Sequence, residues 1–287
     1  MSNGPKFDMD QSHRMASSTE PVALSSPLGD HLKSASHSCQ PRNLFMNPVL
    51  IGEFLGTAIL ILLGGGVCAG ASLERTFARN AGWIVITAGW AFAVACGIFV
   101  ATSLGAPGAL NPVGPVLDFL NGNRGLPEAV GMIVAETAGA FTGAVLVWLA
   151  YLPHWAVTAD AAAKRGIFCT SPAISSPMAN LLSEAIGTFA LVLITSAVGK
   201  ASPGLANAPL VGMVVWAIGL SLGATTGYAI NPARDFGPRL AHAVLPIAGK
   251  GDSNWQYAWV PIVGPVLGAV AGNAVFTMAV ATVSQAA

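Results

Sequence analysis

The chain reads as an all-α membrane protein: six transmembrane helices plus two re-entrant half-helices, arranged as an inverted repeat. Three observations predict this. Of its 287 residues, 53% are hydrophobic and only 9% charged, with 33 glycines, whereas soluble domains carry about 25% charged residues. Six apolar runs are long enough to cross a bilayer as helices, roughly 48–70, 81–104, 126–152, 177–199, 208–228 and 256–282. Two Asn-Pro boxes, Gly108-Ala109-Leu110-Asn111-Pro112-Val113-Gly114-Pro115 and Gly227-Tyr228-Ala229-Ile230-Asn231-Pro232-Ala233-Arg234-Asp235, follow the second and the fifth run.

The first 46 residues are rich in Ser, His and Pro and hold no apolar run that would make a signal peptide. They read as a disordered cytoplasmic tail, with a channel domain over 47–287. Its first half spans about 47–152, a loop covers 153–176, and the second half spans about 177–287. Net charge is zero and no basic tract occurs, so nothing points to nucleic acid. The cysteines Cys39, Cys68, Cys96 and Cys169 are scattered without metal spacing and read as free thiols. No nucleophile–base set, metal cluster or phosphate loop appears, so the pattern is not that of an enzyme and calls for no cofactor.

The halves repeat in residues as well as layout. Gly52-Glu53-Phe54-Leu55-Gly56-Thr57 in the first run matches Ser183-Glu184-Ala185-Ile186-Gly187-Thr188 in the fourth, with Glu, Gly and Thr at the same spacing. Each half has three crossings, an odd number, so the second enters the membrane from the opposite side. That places a site at the interface of the halves, near the midplane. Lys and Arg lean only weakly toward an internal N-terminus.

Asn is a favoured N-cap and Pro a favoured first helical residue, so each box starts a helix. The segments that follow, 111–121 and 231–242, are short; ten residues span about 15 Å, half of a hydrocarbon core of about 30 Å. Two such helices placed end to end cross it. Where their N-termini meet, positive dipole ends and two Asn amides, their oxygens committed to backbone N–H groups, face one point. Such a point accepts a solute's oxygen and repels a cation.

These boxes, the doubled Glu-x-x-x-Thr and the six-span layout resemble the aquaporin (major intrinsic protein) family over residues 48–282. Asn231 through Leu240 is similar to the second box of its glycerol-facilitator branch, of which Asp235 is the marker. The resemblance implies homotetramers in a plasma or inner membrane, one pore per subunit, glycerol, small polyols and water as solutes, lipid as surroundings, and no cofactor. It also implies a filter of Trp90, Gly219, Tyr228 and Arg234. Trp90 takes its place if one residue is inserted in 104–108; without that gap Ala91 falls there. Gly219 stands where water-selective relatives carry His, which widens the pore. Carbonyls of Pro107, Gly108 and Ala109, and of Gly227, Tyr228 and Ala229, form an acceptor ladder to each Asn.

A buried guanidinium in a membrane costs at least about 2.5–3.5 kcal/mol and marks a cavity. Arg234 is therefore read as a solute-facing donor, with an ion pair to Asp235 as the alternative. Glu53 and Glu184 are suited to accept the N–H groups of the irregular box backbone, with a proton relay as the alternative. The first box departs from the family pattern at Val113, where Ala is usual, at Pro115, which lacks a backbone donor, and at Ala109. Glu136 is read as a bond to loop backbone or to a neighbouring helix, Asp118 stands without a role, and His154 and His242 are read as interfacial or loop residues. The runner-up is a strictly water-selective channel. A coupled transporter using Glu53, Glu136 and Glu184 is the reading from a different class.

Overall fold

The computed structural model describes residues 47–202, 204 and 207–286; the N-terminal tail lies outside the described residues. Helices α1 (Pro48–Ser72), α2 (Trp83–Ser103), α4 (Leu126–Ala150), α7 (Pro177–Ala201) and α10 (Val260–Ala286) are long and apolar enough to cross a membrane. Helix α8 (Asn207–Ser221) is apolar but has 15 residues, about 22 Å. The fifth predicted crossing, 208–228, thus ends early. From Leu222 to Thr226 the chain turns, and this turn leads into the second box. Two half-helices, α3 (Val113–Leu120) and α9 (Pro232–Val244), complete each half.

Asn-Pro acts as a helix start three times, since Asn47 also accepts from the Val49 N–H to open α1. Gly264, Gly268 and Gly272 seat α10 on α7, and Gly139 and Gly143 seat α4 on α1 in the same way. A Cβ at Gly139 or Gly143 of α4 would meet the Phe54 or Ala58 carbonyl of α1 at 2.2 or 2.4 Å. A Cβ at Gly268 or Gly272 of α10 would meet the Ala185 or Phe189 carbonyl of α7 at 2.1 or 2.7 Å. Phe54 and Ala185 each follow the repeated Glu, so the two helix pairs share one register.

The segment 153–176, read from sequence as a loop, contains two short helices, α5 (Leu152–Val157) and α6 (Ala161–Phe168). Asp160 caps α6, accepting from the Ala162 and Ala163 N–H groups. The helix packs against α9 and α1 and delivers Phe168 and Thr170 to the second box. Cys68, Cys96 and Cys169 are free thiols, while Cys39 lies outside the described residues. Burial, with the Asp235 charge nearby, pushes the Cys169 thiol up to about 12, which favours its protonated form.

Candidate pore and its two boxes

The two boxes meet through their asparagines. Asn111 Nδ2 donates to the Ile230 carbonyl at 2.9 Å, and Asn231 Nδ2 donates to the Leu110 carbonyl at 2.7 Å. The side-chain oxygens cap the half-helices as expected: Asn231 accepts from Ala233 and Arg234, Asn111 from Val113. Each amide therefore has one N–H clamped across the interface and one left for a guest, rather than both left free.

The backbone leading into each Asn is strained. Leu110, Tyr228 and Ile230 have φ of 50°, 37° and 44°, a left-handed region that β-branched residues such as Ile rarely adopt. Two buried carboxylates hold it there. Glu53 accepts from the N–H groups of Gly108, Ala109 and Leu110 at 2.7–3.1 Å, and Glu184 from those of Ala229 and Ile230 at 2.8–3.0 Å. With their N–H groups tied to these anions, the peptides leave their carbonyls for the lumen. Thr57 and Thr188 bond instead to the Glu53 and Glu184 carbonyls of their own helices.

A cavity of about 310 Å³ runs past both boxes. Its wall includes Asn111, Asn231, Trp90, Tyr228 and Arg234, together with Pro107, Gly108, Ala109 and Ala229. Gly227 and Gly219 are not on that wall. A Cβ at Gly219 would lie 2.9 Å from Tyr228 Cζ, so the missing side chain makes room for the Tyr228 ring instead of opening the lumen directly. Trp83 braces the same ring edge-to-face and donates its Nε1 to the Gly219 carbonyl. Trp90, not Ala91, is on the wall, and the Ala91 carbonyl packs against Gly212 of α8.

Trp90 is seated on Gly64, where a Cβ would touch its ring at 2.4 Å, and its Nε1 donates to Cys68 Sγ at 3.3 Å. The Arg234 guanidinium lies over that ring, 3.9 Å from its centroid, within cation–π range. Its protein hydrogen bond is a long one, 3.5 Å to the Phe168 carbonyl. Most of its donors are thus left unspent.

The sequence alternative of an Arg234–Asp235 ion pair is not what forms. Asp235 grips Arg239 instead, with Nε at 2.7 Å and Nη2 at 3.0 Å, and also accepts from the Thr170 N–H and hydroxyl. Arg239 is wholly buried and spends its other donors on the Thr170, Ser253 and Asn254 carbonyls. Sequence reading gave Arg239 no role. Its signal was available, since Asp235 and Arg239 stand four apart on one helix face. His242, read from sequence as interfacial or in a loop, is wholly buried in the last turn of α9 and bonds Ser253 Oγ, because it lies on the packed side of α9, opposite the exposed Phe236, Leu240 and Val244. His154 bonds the Glu74 carbonyl. Lys250 caps α9 by donating to the carbonyls of His242, Ala243 and Leu245.

In the first box, Val113 packs with Val192 of α7 and Ala269 of α10, where an isopropyl fits. Pro115 falls in the first turn of α3, whose N–H groups have no intrahelical partner in any case, so its missing donor costs nothing. Asp118 binds Arg124 at 2.7 Å and closes the turn after α3. No group of metal-binding side chains occurs among the described residues.

Comparison with known proteins agrees with this geometry. The family described as "Major intrinsic protein" matches residues 43–276. A probable glycerol uptake facilitator protein of Thermotoga maritima is 49% identical over 79% of this chain and 97% of its own length. Glycerol uptake facilitator protein 3 of Lactiplantibacillus plantarum is 51% identical over 80% and 95%. A D/L-lactic acid transporter of the same organism is 38% identical over 77% and 92%. The X-ray structure of the aquaglyceroporin from Plasmodium falciparum aligns with a TM-score of 0.71 at 25% identity, covering 84% of this chain and 99% of that one.

Proposed function

Because this chain belongs to the major intrinsic protein family, we propose that it is a passive transmembrane channel for glycerol and other small neutral solutes, together with water, that excludes ions and protons. The observation that carries this reading is the mixed lining of the cavity. Leu60, Val94, Ile98, Leu191 and the rings of Trp90 and Tyr228 supply apolar surface, and the box backbone, two Asn amides and Arg234 supply polar groups. Glycerol has a carbon edge and a hydroxyl edge, and this wall offers each its counterpart.

In the proposed path, Arg234 donates its unspent N–H groups to solute hydroxyls at the filter while Trp90 and Tyr228 bear on the carbons. Gly219 permits that arrangement by housing the Tyr228 ring. Carbonyls of Pro107, Gly108 and Ala109, and of Tyr228 and Ala229, then accept hydroxyl protons along the way, and Gly227 serves as the turn that starts the second row. Each Asn offers its one remaining N–H at the midplane. Contacts of this kind stay weak enough for a guest to leave, as conduction requires. Two helix N-termini and Arg234 oppose cations.

The chain is proposed to sit in the cell membrane with its N-terminus in the cytoplasm, as a homotetramer with one pore per subunit; the family resemblance supports both. Stopped-flow light scattering of proteoliposomes in a glycerol gradient tests the solute. Rapid re-swelling is expected. A water response without glycerol entry would make it water-selective, and slow, saturable, gradient-driven uptake would make it a coupled transporter.

A further inference from the structure

Glu136 is a wholly buried carboxyl in α4, and neither of its oxygens has a hydrogen-bond partner. In a bilayer-spanning helix such a group is costly and calls for an explanation. The shared register of the halves shows that the fold itself does not ask for it. Glu136 lies three residues before Gly139, which packs on Phe54, and the residue three before Gly268, which packs on Ala185, is Pro265. An apolar ring serves the same seat in the other half.

The backbone inventory of the first box supplies what is missing. Glu53 takes the N–H groups of residues 108, 109 and 110. Among the described residues the next N–H, that of Asn111, has no hydrogen-bond partner, and it lies close enough to act on the Glu136 carboxyl, whose oxygens are themselves without a partner. An orphan donor and an orphan acceptor thus stand together behind the pore-lining Asn111. Glu53 is the carboxyl near enough to repel Glu136. Asp235, on α9, is engaged by Arg239, and Asp118, on α3, by Arg124. Two adjacent buried carboxyls do not both ionise, and the charge belongs on Glu53, which has three donors.

We propose that Glu136 is a positioning residue for Asn111: as a neutral acid, its carbonyl oxygen accepts the Asn111 backbone N–H and holds that amide's side chain at the midplane. The assignment deepens the pore reading but depends only on transport through this lumen, of whatever solute. The test uses the full chain in proteoliposomes, comparing wild type with Glu136→Gln, which keeps a neutral carbonyl, and Glu136→Leu, which keeps the volume alone. Water permeability per channel is followed beside glycerol, so that a failure of the glycerol reading leaves this test intact.

Glu136→Gln is expected to stay within about twofold of wild type, and Glu136→Leu to fall by about tenfold, the effect of one buried donor left without its acceptor. In an Asn111→Ala background the Leu substitution should have little further effect. Infrared difference spectra should show the carbonyl stretch of a protonated acid in wild type that is lost in Glu136→Gln. This signature stays readable even if the Leu variant does not fold. Leu matching wild type, Gln falling as far as Leu, or absence of the protonated-acid band would each overturn the proposal.

Discussion

Around Asn231 the half-helix α9 carries Arg234, Asp235, Arg239 and His242, all buried, and Phe168 at the end of α6, Thr170 just after it, the Ser253–Asn254 turn and Lys250 all bond to it. Around Asn111 the half-helix α3 has eight residues, Asp118 as its one charged side chain, and an apolar seat against α7 and α10. The backbone anchors are reversed in weight. Glu53 holds three N–H groups of the first box, and Glu184 holds two of the second. The difference teaches that one geometric task, presenting an Asn at the midplane, is met in two ways. One box is secured mainly from beneath by a carboxylate; the other is also secured from above by an ion pair and the segment 153–176. The filter cation sits on the second, where that extra scaffold can aim it.

This contrast can be broken experimentally. Glu53→Leu leaves three N–H groups without an acceptor, that of Leu110 buried and those of Gly108 and Ala109 half-buried, and Glu184→Leu leaves two buried ones, each buried donor at about 1–3 kcal/mol. Both variants should lose transport, with the Glu53 variant unfolding at the lower temperature in detergent; equal melting would mean the bond count does not rank the boxes. Asp235→Ala strands the buried Arg239 and should cost about 3–5 kcal/mol, read as loss of monodisperse protein on extraction. Its opposite number, Asp118→Ala, opens a partly exposed pair and should cost at most about 1 kcal/mol.

Smaller effects sharpen the comparison. Asn231→Ala removes two capping bonds and Asn111→Ala one, at about 1 kcal/mol for a cap, so the second should disturb thermal stability less while both impair transport. Gly219→Ala puts a Cβ against the Tyr228 ring at 2.9 Å. Displacing that ring should slow glycerol more than water in the swelling assay, and equal loss would mark a folding defect.

Much of the architecture was legible because hydrophobic length and helix starts are local properties. The boxes at Asn111 and Asn231, the repeated Glu53 and Glu184, and the run lengths stand in the chain itself. The short helix α8 was overextended because residues 222–226 are apolar enough to continue a run although they turn. Helices α5 and α6 were missed because six and eight residues are too few to show a period. At the site, the Asp235–Arg239 spacing is legible in the sequence, but the three carbonyls that complete the Arg239 seat come from distant loops and are not. Gly219 was read as an opening because the ring that fills it comes from nine residues along the chain.

The amino-acid order by itself determined that the chain crosses a membrane, that it does so in two related halves, and that each half starts a buried helix at Asn-Pro, since these follow from transfer free energy and capping within a few residues. Only the tertiary structure decided which donor meets which acceptor: that the two Asn clamp each other's box, that Asp235 takes Arg239 and leaves Arg234 over Trp90, and that Glu136 stands beside the Asn111 N–H. Those pairings join groups far apart in the chain, and inside a bilayer, where water satisfies nothing, the packing of helices chooses among them.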